Sequence, residues 1–254
     1  MNSNKANGTG SLYIRAASVS IPAYSDDYCF DLPLMQYFKS HESLAFPAPV
    51  TYFVGENGMG KSTLLEAIAI SYGFNPEGGS RNFTNSSLDT HSELHKHMTL
   101  IKSFIKPRDG FFLRAESLYN VATEIERLNE ITPIPLYDSY GGKSLHAQSH
   151  GESFLNLVVN RFGGQGMYLL DEPEAALSPT RQLSLMAAIQ NLVAEGSQFI
   201  IATHSPILMS LPGSAVLSFS ENSIAEIDYR ETEHFQLTRQ FLNNPEGFFK
   251  HLFL

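Results

Sequence analysis

The sequence is short of cysteine, of tryptophan and of positive charge. It has one cysteine, Cys29, and no tryptophan. A single thiol excludes an intramolecular disulfide, so the expected home is a reducing cytoplasm. Cys29 lies between Tyr28 and Phe30, which marks it as a small apolar side chain in a strand rather than a reactive thiol. Long apolar runs are also missing. No stretch approaches the roughly 18 residues that span a bilayer, so membrane insertion is not expected. The segment from Met1 to Ser11 has no apolar core of a secretory leader and reads as a flexible tail over 1–11. Against 26 Asp+Glu there are only 17 Lys+Arg, a net charge of −9. That balance does not indicate a general binder of nucleic acid or anionic membrane.

What is present is an ordinary globular composition, 43% apolar, enough for a single domain over 12–254 with a sizeable core. The acidity is lopsided. Residues 111–254 hold 16 acidic side chains against 8 basic, whereas residues 1–110 hold 10 against 9. A nucleic-acid surface is possible but not indicated by charge. It would fall in the first half, where Lys96, Lys102, Lys106 and Arg108 cluster.

Short apolar runs alternate with helical spacings along the chain. Strands are expected at Leu12–Ile21, Tyr28–Leu34, Val50–Val54, Phe111–Arg114, Met167–Leu170 and Phe199–Ala202. A hairpin is expected from Ala215–Phe219 and Ser223–Asp228. Helices are expected after Lys61, over Glu116–Leu128, from Phe154 to Phe162, over Pro179–Ala194, and around Phe235–Leu242 and Pro245–Leu252. Pro179 suits a first helical turn, and Gly196 stands just past the end of that helix. Residues 73–98 and 132–148 read as irregular. His91 and His95 would share a helix face, but no cysteine or firm fourth ligand is near, so a solvated helix is the expectation there. The alternation implies an α/β fold with a mostly parallel core sheet, in which ligands sit at the carboxyl ends of strands.

Three motifs fall at such ends. The first is Gly55-Glu56-Asn57-Gly58-Met59-Gly60-Lys61-Ser62-Thr63, a P-loop between a strand and a helix. Its glycines let backbone N–H groups turn toward phosphate oxygens, and the helix adds its positive end. Lys61 would reach the β- and γ-phosphates of ATP, and the Ser62 hydroxyl would ligate Mg²⁺. The second is Tyr168-Leu169-Leu170-Asp171-Glu172-Pro173, an apolar strand ending in two acids. Asp171 would hold Mg²⁺, and Glu172 would orient or deprotonate the attacking water. The third is Ala202-Thr203-His204-Ser205-Pro206, where His204 can hydrogen-bond a γ-phosphate or that water.

In this order the motifs resemble the ABC-type ATPase superfamily of P-loop NTPases, over roughly residues 12–220. The segment Glu174-Ala175-Ala176-Leu177-Ser178-Pro179 looks like its D-loop. The transporter signature Leu-Ser-Gly-Gly-Gln is replaced by Gln148-Ser149-His150-Gly151-Glu152-Ser153. That variant looks more like the soluble members, the SMC/RecF-like group and the small stand-alone ATPases labelled AAA family. Ser149 and Gly151 keep a hydroxyl, a flexible backbone and a helix start that would face an anion, though Ser149 would serve equally as a helix cap.

The resemblance implies an ABC-ATPase-like fold with an N-terminal antiparallel part and a small helical lobe, roughly 73–160, between the P-loop and the acidic strand. It implies ATP and Mg²⁺ as cofactors, ATP hydrolysis, and an ATP-dependent head-to-tail homodimer. No Gln stands where the family's Q-loop follows Phe111–Arg114, so Glu116 takes that place as a metal- or water-contacting oxygen. Tyr13 and Tyr24 are candidates by position for stacking on adenine. Long coiled-coil arms are excluded, since 64–148 holds no heptads. The functional expectation is a soluble dimerising switch with a protein effector of unknown identity. The alternative is the ATP-binding subunit of an ABC membrane transporter.

Overall fold

The structure is a computed structural model that describes residues 12–80, 92–131 and 144–253. Its strands, in chain order, are β1 (Ile14–Val19), β2 (Leu44–Ala45), β3 (Val50–Val54), β4 (Gly79–Ser80), β5 (Met98–Lys102), β6 (Asp109–Arg114), β7 (Gly166–Asp171), β8 (Gln198–Ala202), β9 (Ala215–Phe219) and β10 (Ile224–Ile227). The α-helices are α1 (Leu34–Ser40), α2 (Lys61–Tyr72), α3 (Leu118–Ile131), α4 (His150–Arg161), α5 (Pro179–Ala194), α6 (Glu233–Asn243) and α7 (Pro245–Leu252).

Among the described residues, seven strands make the central sheet in the order β10-β9-β3-β8-β7-β6-β4. The five inner strands run parallel, and β10 and β4 are antiparallel edges. A parallel sheet is covered on both faces, which explains why β3, β7 and β8 are buried along their whole length. Side chains alternate between two apolar layers, as the period of a strand requires. Phe53, Phe112, Leu169 and Ile200 enter the layer under α2, with Leu64, Leu65 and Ile68. Tyr52, Leu113, Leu170 and Ile201 enter the other, with Val121, Phe154, Leu157, Leu185 and Ile189.

A smaller antiparallel sheet, β2-β1-β5, packs beside this core, as expected for the N-terminal part. One buried side chain stitches the two together. Gln198 of β8 accepts from the N–H groups of Tyr13 and Ile14 through Oε1 and donates to the Ile14 carbonyl through Nε2. A buried amide satisfied on both ends specifies one docking geometry.

The structure departs from the expected elements in three places. Tyr28–Leu34 is not a strand. Tyr28–Asp31 is a 3₁₀ turn, because Asp27 accepts from the Cys29 N–H at 2.9 Å and caps it. The chain then enters α1 directly. Residues 73–98 contain β4 and a 3₁₀ helix, Glu93–His97, and β5 begins at Met98. The span 73–160 is therefore not helical throughout, since it supplies β4 and β6 to the main sheet and β5 to the small one. His91, the tail at 1–11 and most of the 132–148 loop lie outside the described residues. Among the described residues no group of three or more His, Cys, Asp and Glu is placed to hold a metal ion. No helix among them is long and apolar enough to cross a membrane.

Cys29 is fully buried, and burial together with the Asp27 carboxylate pushes its thiol up to about 12. The thiolate is the reactive form, so disulfide-exchange reagents should label Cys29 about a thousandfold more slowly in the native protein than after denaturation. Equal labelling rates in the two states would show that the turn is not closed as described.

Candidate active site

The order of the inner strands decides which motifs meet. Strand β8 lies between β3 and β7, so whatever follows Ala202 stands between the loop after Val54 and the acids after Leu170. The registers bring the carboxyl ends level: Phe53 pairs with Ala202, Ala202 with Asp171, and Asp171 with Arg114. Four segments distant in sequence thus end in one row.

The loop after β3 keeps the conformation its glycines allow. Gly55 has φ 138°, and a Cβ there would lie 2.4 Å from the Phe219 carbonyl oxygen. Gly60 has φ 91° and caps α2, so only glycine suits both positions. Glu56 and Asn57 are exposed, and Met59 packs against the core. Lys61 is buried, with Nζ donating to the Gly55 and Glu56 carbonyls at 2.7 Å each. Burial lowers its pKa, opposed by Glu172, Asp171, Glu174 and Glu56. Ser62 and Thr63 follow in the first turn of α2, half-buried.

Ser62 Oγ donates to Asp171 Oδ1 at 2.9 Å. Burial pushes the Asp171 carboxyl up to about 6, while the Arg114 guanidinium and the Ser62 hydroxyl pull it down. Arg114 was not singled out in the sequence. Its Nε lies 3.5 Å from Asp171 Oδ2, its Nη1 donates to Glu66 Oε2 at 2.8 Å, and its Nη2 pairs with Glu116. Arg114 lines a cavity of about 270 Å³ with Ser62, Glu116, Asp171 and Glu172. Glu116 lines the cavity itself, and its ion-pair partner there is Arg114. A hydroxyl and a carboxylate held together are hard oxygen donors of the kind Mg²⁺ takes alongside phosphate oxygens, and a cation would offset the burial of Asp171.

Glu172 adopts a left-handed conformation, φ 47° and ψ 50°. Its N–H donates to the Ala202 carbonyl at 2.9 Å, which holds this unfavourable backbone state. The side chain is half-exposed, with Oε1 3.7 Å from His204 Nε2. Its neighbour Glu174 is engaged instead. Glu174 accepts from the His204 N–H at 2.5 Å and from Thr203 Oγ1 at 2.7 Å, and burial raises its pKa. His204 Nδ1 lies 2.9 Å from His234 Nε2, a residue of α6 with no motif around it. Burial, helped by the Lys61 charge and by His234, lowers the His204 pKa to about 4. A cleft of about 490 Å³ is lined by Glu56, Asn57, Glu172, His204 and His234.

The chain is similar to several known proteins. A family model described as an AAA domain matches residues 34–132. A second AAA-domain model, whose description names the AbiEii toxin and a Type IV TA system, matches residues 145–210. The cobalt import ATP-binding protein CbiO of Salmonella typhimurium is 28% identical over 190 residues, 70% of this chain and 69% of that protein. The vitamin B12 import ATP-binding protein BtuD of Vibrio cholerae is 28% identical over 173 residues, 61% of this chain and 68% of that one. A solved ATP-binding cassette of an ABC transporter shares the fold, with TM-score 0.51 and 16% identity over 93% of this chain and 97% of that chain. The chain is a P-loop ATPase, similar over most of its length to the ATP-binding proteins of ABC transporters.

The segment 148–153, expected as the signature, does not line this cleft. Ser149 caps α4, and the Glu152 carboxylate accepts from its N–H at 3.1 Å and its Oγ at 2.8 Å. Arg181 of α5 pairs with Glu152 at 3.1 Å. Gly151 has no room for a side chain, since a Cβ would lie 2.6 Å from the Ala176 carbonyl oxygen. Its glycine is thus set by packing against the turn Pro173–Ala176 after β7, a cause that no local pattern in the sequence carries. Ser149 itself is exposed, and its partners are Glu152 and Arg181 rather than the P-loop. Tyr13 is not available for stacking on a base. It is 3% exposed in the core, and its hydroxyl donates to the Gly196 carbonyl. Tyr24 is exposed, with its hydroxyl on Asp26.

Proposed function

We propose that this ATPase works as a nucleotide-dependent dimerising switch. The observation that carries the reading is the division of the motif residues between two places. Lys61, Ser62, Asp171, Glu172 and His204 share one cleft region, whereas Ser149 and Gly151 lie at the start of α4 with partners of their own. A second copy related by a twofold axis would bring its α4 N-terminus to phosphates held by the first. The γ-phosphate would then complete the interface, so ATP binding and dimer affinity are linked, and hydrolysis releases the pair.

Within each copy, Lys61 and the N–H groups of 55–63 would hold the phosphates. Ser62 and Asp171 would hold Mg²⁺, with Glu116 at the rim. When bound, Mg²⁺ supplies charge neutralisation on the phosphates. Glu172 would take the proton of the attacking water, and His204 would contact the γ-phosphate. The lone buried thiol suits a reducing cytoplasm, and a protein effector would read the dimer.

Replacing Ser149 by Arg tests the division. The variant should bind ATP as the parent does and fail to form an ATP-dependent dimer in light scattering. A normal ATP-dependent dimer would remove Ser149 from the interface. A second reading has support in the names of the relatives, CbiO and BtuD, both import ATP-binding proteins. In that reading the ATPase docks on a separate membrane protein. A pull-down that recovers a permease favours transport, whereas a soluble effector favours the switch.

A further inference from the structure

We propose that His234 is a positioning residue for His204, donating its Nε2–H to His204 Nδ1 and so fixing the tautomer of His204. The proposal rests on the reading of His204 as the γ-phosphate contact and names the group that orients it. The two rings meet at 2.9 Å between nitrogens, with centroids 4.8 Å apart. One shared hydrogen bond needs one donor and one acceptor, so two arrangements compete.

If His204 donated, its Nε2 would carry a lone pair. That atom is buried without a hydrogen-bond partner and lies 3.7 Å from the Glu172 carboxylate. A lone pair facing an anion is repelled there, and it would be repelled by a γ-phosphate in the same cleft. If His234 donates, His204 carries its proton on Nε2, and an N–H faces Glu172 and the cleft. The second arrangement is the one the charges favour. Both imidazoles stay neutral because burial and the Lys61 charge lower their pKa values, against Glu233 and Glu56, which pull His234 the other way.

The support of His234 is built to hold it still. Thr232, 3% exposed, caps α6 by accepting from the Phe235 N–H, while its own hydroxyl reaches the Tyr229 carbonyl at 2.7 Å and Met209 Sδ at 3.3 Å. Phe235 packs edge-on against Tyr229 at 5.3 Å. Beyond this first turn α6 is exposed, so the anchored turn is the part that faces the cleft.

The test has two readouts. In nucleotide-free protein labelled with ¹⁵N-histidine, long-range ¹H–¹⁵N spectra should show His204 protonated on Nε2, and His234→Ala should shift it to a mixture. A wild-type His204 protonated on Nδ1, or a tautomer unchanged in His234→Ala, overturns the proposal. In turnover, His234→Ala and His234→Phe should each lower kcat about tenfold with KM for ATP held within about twofold, the scale of a misoriented catalytic group. His234→Gln, whose amide can donate from a similar place, should recover most of the loss. His204→Ala/His234→Ala should be no slower than His204→Ala. A further drop would mean that His234 touches the nucleotide itself and does not act through His204. If His204→Ala turns over normally, the γ-phosphate reading of His204 fails, and the spectra still decide the pairing.

Discussion

Lys61→Ala is expected to abolish measurable ATP turnover and to weaken ATP binding by about 30- to 1,000-fold. The estimate comes from the chemistry of the buried ammonium. Its Nζ now satisfies two neutral carbonyls at 2.7 Å, and both bonds would be exchanged for bonds to anionic phosphate oxygens. Two such bonds contribute about 3 to 6 kcal/mol, offset in part by the two carbonyl bonds given up, for about 2 to 4 kcal/mol net, and each 1.4 kcal/mol is tenfold in affinity. The nucleotide-free fold should survive, because deleting the side chain also removes a buried charge. Isothermal calorimetry with ATP and a phosphate-release assay measure the two effects. Unchanged turnover would mean that the loop from Gly55 to Thr63 is not the phosphate cradle. Lys61→Arg should not rescue, since the planar guanidinium cannot replace a compact ammonium packed against two carbonyls.

The row of motifs was legible in the sequence because each is an apolar run that stops at a polar residue. Val50–Val54, Met167–Leu170 and Phe199–Ala202 need burial on both faces, and that need produces the unbroken apolar stretch. Which strands neighbour each other was not written in any local pattern. The place of β8 between β3 and β7, which sets His204 beside Glu172, comes from long-range pairing. The same is true of His234. It meets His204 because β9 and β10 carry the chain back, and no spacing within 233–243 marks it.

Other misses have local causes. Tyr28-Cys29-Phe30 has strand-like side chains, but an aspartate two residues before Cys29 offers its N–H a cap and turns the chain. Strand β5 was hidden because Thr99 and Lys102 face solvent and leave only Met98, Leu100 and Ile101 as its apolar signal. Arg114 ends a run read correctly as a strand, yet its three acidic partners, Glu66, Glu116 and Asp171, come from three separate segments.

Glu172→Gln should separate binding from chemistry. Three acids stand at the end of β7 and just after it, and two of these are already engaged. Asp171 accepts from Ser62 and faces Arg114, and Glu174 accepts from Thr203 and from the His204 backbone. Glu172 is half-exposed, held in a left-handed backbone state, and within 3.7 Å of His204. It is the acid left to accept a proton from water. Gln keeps the size and removes the basicity, so ATP affinity should stay within about threefold while hydrolysis falls by about 10²- to 10⁴-fold, the usual contribution of a general base. With hydrolysis blocked, the ATP-bound dimer should accumulate and elute as a dimer in size exclusion with ATP and Mg²⁺ present. Normal hydrolysis in the variant would place the base elsewhere. A variant that binds ATP, hydrolyses slowly and stays monomeric would remove the dimerising switch and leave the ATPase intact.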